Sequence, residues 1–219
     1  MASQSNRLDA LLNDTPVIPV LTINDVTSGV ETARALIAGG LRVIEVTLRT
    51  EVALEAIQAI ADELPDAIVG AGTLTEPHHF AQTQAAGATF TVSPAVTPAL
   101  IEAAADHSPP WLPTASTPSE SLSVLAAGFG TQKLFPAEPL GGIGYLKALH
   151  PPLPDVRFCP TGGINARNAA DYLACPNVIC VGGSWLAPAD AVASADWLAI
   201  SALARDAARL RGSDPSPAS

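Results

Sequence analysis

Residues 16–48 read PVIPVLTINDVTSGVETARALIAGGLRVIEVTL. A short apolar run, PVIPVL, gives way to a polar turn and then to a helical stretch. Gly39-Gly40 ends that stretch, and a second apolar run, RVIEVTL, begins. Strand, turn, helix and glycine form a phrase that the rest of the chain repeats. Apolar runs at 16–21, 42–48, 67–72, 89–94, 111–116, 131–136, 156–161 and 177–183 start roughly 20–26 residues apart, the spacing of one strand plus one helix with short loops.

The punctuation agrees. In TEVALEAIQAIADEL, Leu54, Ile57, Ile60 and Leu64 recur at helical spacing, and Thr50 is placed to cap them. Thr97-Pro98 and Thr117-Pro118 each put a capping hydroxyl before a proline at the first helical position. Thr117 with Glu120 also fits a capping box. Gly39-Gly40, Gly87 and Gly128 mark helix ends, each followed closely by the next strand.

Eight strands alternating with eight helices predict an α/β fold, a closed (β/α)8 TIM barrel. An open doubly wound sheet would carry G-x-G-x-x-G after its first strand, and PVIPVLTIND has none. Leu8, Leu11 and Leu12 share one face of residues 5–13, which predicts an extra N-terminal helix across the barrel bottom. The expectation is one domain over 1–219, with the barrel at about 16–211 and a disordered tail, GSDPSPAS, at 212–219.

Hydrophobic residues make up 48 % of the chain and charged ones 15 %, with a mean hydropathy of +0.29. That suits parallel strands covered on both faces. Eleven basic against 21 acidic residues give a net charge of −10. A chain this acidic repels phosphate backbones and anionic lipid, so nucleic acid and membranes are poor partners. No apolar run is long enough to span a bilayer, and MASQSNRLDALLND lacks the form of a secretion signal. Cys159, Cys175 and Cys180 are odd in number and lack C-x-x-C spacing, which favours reduced buried thiols in a cytoplasmic protein. His78, His79, His107 and His150 have no metal-ligand spacing, so no metal is expected.

Side chains alternate along a strand. In RVIEVTLRT, Ile44, Val46 and Leu48 form a purely apolar face that suits packing against helices. Val43, Glu45, Thr47 and Arg49 therefore point into the barrel, toward its C-terminal mouth. Buried charges are costly without a purpose or a partner. Glu45 and Arg49 read as a catalytic carboxylate and an anion-binding arginine, or else as a structural ion pair. The chain has only two lysines. Lys147 lies in the helical GYLKALH, whereas Lys133 lies in TQKLFPAE on the inward face with Phe135. A desolvated lysine loses its proton more readily and can attack a carbonyl to form an imine; the alternative is a structural pair with a carboxylate such as Glu45. Two glycine-rich loops, TGGIN (161–165) and GGSW (182–185), follow the seventh and eighth strands, where barrels often build phosphate sites from backbone N–H groups. Amine, carboxylate, arginine and phosphate cradle together predict a site for a phosphorylated 2-oxo acid.

The segments EVTLRTE (45–51), IVGAGT (68–73), SPAVT (93–97), KLFPAE (133–138), RFCPTGGI (157–164) and GGSWL (182–186) resemble the 2-dehydro-3-deoxy-phosphogluconate aldolases, a family that includes bifunctional 4-hydroxy-2-oxoglutarate aldolases. The resemblance runs from about Pro16 to Pro188. It implies a class I aldolase of the Entner–Doudoroff pathway that releases pyruvate and glyceraldehyde 3-phosphate without metal or cofactor, typically as a homotrimer. Carried over by motif, Lys133 is the Schiff-base lysine and Glu45 the general acid/base. Arg49 and Thr73 hold the pyruvate carboxylate, with Pro94, Phe135 and Thr161 also lining the substrate, and Gly162, Gly163 and Ser184 bind phosphate. The chain departs from the family where Ala95 and Thr114 replace common glycines, and where PLGGIGYLKALHPPLP replaces an A-N-G-G run. These departures bear on the aldehyde partner and phosphate, not on the imine.

Alternatives keep the same parts. The galactonate epimer or 4-hydroxy-2-oxoglutarate fits the same chemistry. A phosphosugar isomerase or decarboxylase shares the phosphate loops but needs no imine. Intact Lys133, Glu45 and Arg49 argue against a mere binding protein.

Overall fold

The structure, a computed structural model, describes residues 4–105 and 107–211. Strands β1 (Val17–Leu21), β2 (Val43–Thr47), β3 (Ile68–Gly72), β4 (Phe90–Val92), β5 (Trp111–Leu112), β6 (Thr131–Leu134), β7 (Arg157–Pro160) and β8 (Val181–Gly183) fall inside the eight predicted runs. All pairings are parallel. One ladder runs β5-β4-β3-β2-β1-β8 and a second joins β6 to β7. Bridges Thr114–Lys133, Phe158–Val178 and Thr161–Gly182 link the two ladders into a closed barrel.

β5 is only two residues long, shorter than the run WLPTAS. Pro113 has no N–H to donate, although its carbonyl still accepts from Lys133 N at 2.7 Å. Pairing resumes one residue later, at Thr114.

Helices α2 (Val26–Ala38), α3 (Ala53–Glu63), α4 (His78–Ala85), α5 (Pro98–Ala105), α6 (Pro118–Ala126), α7 (Gly142–Leu149) and α8 (Ala169–Leu173) follow the first seven strands. After β8 the expected single helix is two, α9 (Ala189–Ala193) and α10 (Trp197–Ala208). Ala195, at φ 54°, breaks them apart, and the Asp196 carboxylate restarts the second by accepting from Ala199 N. The capping box at Thr117 and Glu120 forms as expected, and the Thr97 hydroxyl accepts from Leu100 N. Thr50 does not cap α3. Its hydroxyl donates to Ile23 O at 2.5 Å and ties two mouth loops together, while α3 begins after Val52 with no side-chain cap.

Two apolar clusters show the alternation along each strand. Ile44 and Val46 of β2 belong to the large cluster between barrel and helices. Val43 belongs to the barrel interior, with Ile18, Phe90, Val92, Leu112, Cys159, Ile179 and Cys180. The predicted N-terminal helix, α1 (Gln4–Leu12), closes the bottom by adding Leu8 and Leu12 to that interior cluster. The Asp9 carboxylate pairs with Arg157 and accepts from the Thr131 hydroxyl at 2.5 Å, which anchors α1 to β6 and β7. The predicted tail at 212–219 lies outside the described residues.

Leu12 is fully buried in this plug. Leu12→Ala is expected to lower the unfolding free energy by about 2–5 kcal/mol, measured by chemical denaturation. Pyruvate capture by the folded fraction should stay at the wild-type rate, because the plug and the mouth lie at opposite ends.

Candidate active site

Lys133 is the third residue of the four in β6 and points into the barrel near its C-terminal mouth. It is 6 % exposed. Its Nζ donates to Glu45 Oε1 at 3.2 Å and to Oε2 at 3.3 Å. Glu45, at the centre of β2, is 3 % exposed. Two of the three charged residues read from the sequence as inward-facing therefore meet across the barrel and partner each other. Gly72 makes the room: a Cβ there would stand 2.1 Å from Glu45 Oε1. One register step lower, Gly70 gives way to the Phe90 ring in the same manner.

The other expected residues gather at the same rim but are not all in contact. The Phe135 ring centroid lies 5.8 Å from Lys133 Nζ. Thr161 is buried, follows β7, and donates its N–H to Leu134 O next to Lys133. Its side chain occupies the space a Cβ on Gly182 would need, so the loops after β7 and β8 leave the barrel side by side. Thr73 ends β3 with φ 69°, an uncommon conformation for a β-branched residue and one that functional sites tend to hold. Pro94 lies just past β4, half-buried.

Arg49 departs from expectation. β2 stops at Thr47, and Arg49 is an exposed residue of the following turn. The chain turns there because Leu48 N donates to Gly72 O and Arg49 N to Thr47 O. Arg49 thus lies beyond the C-terminal end of β2 rather than on its inner face. Ser184 is exposed and borders a cleft of about 450 Å3 beside β1, shared with Thr22, Asn24 and Ser28. Lys133 and Glu45 are not among the walls of that cleft.

Gly162 and Gly163 have φ of 98° and 84°, which side chains rarely adopt. The Gly162 N–H faces Gly182, whose strand is bridged to Thr161; among the described residues, the N–H groups of Gly163 and Ile164 donate to no group of the protein. Unpaired amides on a glycine turn suit an anion.

Three residues were not singled out as site residues by sequence reasoning. The Thr47 hydroxyl donates to Leu21 O at 2.9 Å and meets the Thr22 hydroxyl at 3.2 Å, which fixes β1 against β2 beside Glu45. The Ser116 hydroxyl donates to Phe135 O at 2.7 Å and sets the backbone beyond Lys133. Thr114, noted only as a departure from a family pattern, is the bridge partner of Lys133, buried, with its hydroxyl donated to Ser93 O at 2.5 Å. A strand hydroxyl beside a buried lysine was the one available signal.

A closed parallel barrel with a buried lysine–carboxylate pair in its C-terminal mouth is an arrangement suited to an imine-forming barrel enzyme. The comparisons carry this to a family. The profile of the KDPG and KHG aldolases matches residues 8–203. The 2-dehydro-3-deoxy-phosphogluconate aldolase of Dickeya dadantii is 50% identical over 207 residues, 94% of this chain and 97% of that protein. The KDPG aldolase of Legionella pneumophila, solved with pyruvate captured at low pH as a covalent carbinolamine intermediate, superposes with a TM-score of 0.88 at 43% identity, covering 90% of this chain and 96% of that one. The Zymomonas mobilis 2-keto-3-deoxy-6-phosphogluconate aldolase, solved with 3-phosphoglycerate, gives a TM-score of 0.90 at 42% identity over 94% and 97%. The chain belongs to the KDPG and KHG aldolase family. The isomerase or decarboxylase alternative falls with that membership.

Gly72→Ala tests the geometry. The new methyl would stand 2.7 Å from both Glu45 Cγ and Cδ, so it displaces the carboxylate from its buried partner and lowers the melting temperature without unfolding the protein. Misplacing a reacting group by about 1 Å costs on the order of 10²-fold; kcat for aldol cleavage of the folded protein is expected to fall by about that factor. A Gly72→Ala protein as active as wild type would show that the position of Glu45 is not critical.

Proposed function

We propose that this protein is a metal-independent class I aldolase that cleaves 2-dehydro-3-deoxy-6-phosphogluconate to pyruvate and D-glyceraldehyde 3-phosphate, with 4-hydroxy-2-oxoglutarate, cleaved to pyruvate and glyoxylate, as a second substrate. The observation that carries the reading is the buried contact of Lys133 Nζ with Glu45 at 3.2 Å. It is supported by the carbinolamine that pyruvate forms in the Legionella relative.

In this reading the Glu45 carboxylate takes a proton from Lys133, and the free amine adds to the substrate C2 carbonyl to give a carbinolamine. Loss of water leaves a protonated imine, which draws electrons from C3. Glu45, directly or through a water, removes the proton from the C4 hydroxyl. The C3–C4 bond then breaks, its electron pair enters the enamine, and the aldehyde departs. Glu45 returns its proton to C3, and water adds to the imine to release pyruvate and restore Lys133. One carboxylate can serve every proton step because it stands beside the amine.

Arg49 and Thr73 are assigned to the pyruvate carboxylate, for which arginine offers two parallel donors. Pro94, Phe135 and Thr161 are assigned to the walls around it. Gly162, Gly163 and Ser184 are assigned to the phosphate, supported by the free amides of the glycine turn and by the 3-phosphoglycerate in the Zymomonas relative. The exposed position of Arg49 suits a group that meets substrate as it enters. The homotrimer implied by the family resemblance belongs to this proposal. So does a cytoplasmic location, which suits three buried cysteines that form no disulfide; no helix among the described residues is long and apolar enough to cross a membrane.

Borohydride reduction in the presence of pyruvate, followed by peptide mass mapping, is expected to place a pyruvyl adduct on Lys133. No adduct on folded protein would overturn the imine mechanism. Lys133→Ala should abolish cleavage while the protein stays folded. Glu45→Gln should slow cleavage by about 10²–10⁴-fold yet still be trapped by borohydride; cleavage at the wild-type rate would remove Glu45 from the proton steps.

A further inference from the structure

The glycine turn after β7 is held from behind by groups that take no part in the chemistry above. Thr161 O accepts from Ala137 N at 2.8 Å, and Gly162 O accepts from Glu138 N at 3.0 Å. Gly163 O accepts from the side-chain amides of Asn165 and Asn168, each at 3.2 Å. Three consecutive carbonyls are thus drawn toward the protein. In a trans peptide the N–H points opposite to the C=O of the same unit, so the N–H groups of Gly162, Gly163 and Ile164 are aimed the other way. The Gly162 N–H thereby faces Gly182, which is bridged to Thr161, while those of Gly163 and Ile164 donate to no group among the described residues.

The anchors are themselves fixed. Glu138, the last residue of KLFPAE, packs its side chain on Gly163, where a Cβ would stand 2.4 Å from Glu138 Cγ. Its Oε1 accepts from the Tyr172 hydroxyl and, at 3.5 Å, from Asn168 Nδ2. Asn168 Oδ1 in turn accepts from Asn165 N at 2.8 Å. Tyr172 is 1 % exposed, on α8. Burial, then the Glu138 carboxylate, pushes its phenol well above the ordinary tyrosine value, so it remains a donor throughout the working range. A carboxylate this close to an anion cradle is unfavourable unless it is held and neutralised in part by donors.

We propose that Tyr172 and Glu138 are positioning residues for the substrate phosphate: the Tyr172–Glu138–Asn168 chain fixes the peptide planes of 162–164 so that the backbone N–H groups of Gly163 and Ile164 face the anion. The inference rests on the phosphate reading of that turn and adds the device that orients it.

The experiment compares the phosphorylated hexonate with its unphosphorylated counterpart in wild type, Tyr172→Phe, Glu138→Ala and Glu138→Gln, each checked by thermal melt, alongside the rate of pyruvate capture by borohydride. Tyr172→Phe and Glu138→Ala are expected to raise KM for the phosphorylated substrate by about tenfold, the scale of one lost hydrogen bond to a charged group. Their kcat, their kinetics on the unphosphorylated substrate and their pyruvate capture should stay within about twofold of wild type. Glu138→Gln keeps an acceptor for Tyr172 and should restore the wild-type KM. If wild type discriminates by phosphate and folded Tyr172→Phe discriminates equally, or if pyruvate capture falls as far as KM rises, the positioning role is overturned. A wild type indifferent to the phosphate would overturn the phosphate reading, and this inference with it.

Discussion

Two opposite charges stand almost wholly out of water in the middle of the barrel: the side chains of Lys133 and Glu45 are 7% and 4% exposed. Either charge alone there would be strongly destabilising, and even the pair recovers its desolvation only with good geometry. Much of the surrounding structure serves that geometry. Gly72 leaves the space that the carboxylate fills. The Thr47 hydroxyl, donated to Leu21 O, holds the strand that carries Glu45. The bridge to Thr114 holds the strand that carries Lys133. Below the pair, Val43, Phe90, Val92 and Leu112 with the α1 leucines close the barrel to water. An ion pair that only stabilised the fold would gain nothing from a position at the open end of a barrel. One that must pass a proton to substrate needs that position.

The architecture was legible because its signal is periodic. Eight apolar runs at near-even spacing predict eight strands, and the inward face of RVIEVTL followed from the apolar purity of its other face. What was not legible depended on single hydrogen bonds or on where a strand stops. Thr50 has the right residue type and spacing for a cap, yet Ile23 O, from a loop 27 residues earlier, claims its hydroxyl. Arg49 continues the alternation on paper, but β2 ends two residues before it and the alternation ends with the strand. Pro113 shortens β5 through a missing N–H. At Thr50 and at the end of β2 a local rule was overruled by a partner distant in sequence, Ile23 O and Gly72 O, which no window of neighbouring residues contains.

The site was legible to the same depth. A chain with two lysines, one of them inward on a strand, singles out Lys133. The glycine loops could be placed at the mouth, but not the reason their amides face outward. That reason is distributed over Ala137, Glu138, Asn165 and Asn168, with Tyr172 behind them. None of these carries the composition of an anion site, and Glu138 has the wrong sign for one.

The two ends of the site are therefore built from different material. In the proposed mechanism the covalent end uses side chains whose identity is the chemistry, Lys133 as the amine and Glu45 as the proton acceptor. The anion end uses backbone N–H groups, which every residue but proline possesses; what matters there is conformation, through positive φ at Gly162 and Gly163, and orientation, through the carbonyls opposite. A substitution behind the glycine turn can alter phosphate binding without touching the imine, and one beside Lys133 can reshape the covalent end without touching the phosphate. That separation gives a physical reason why one barrel family can keep pyruvate imine chemistry constant while its members differ in the aldehyde they release.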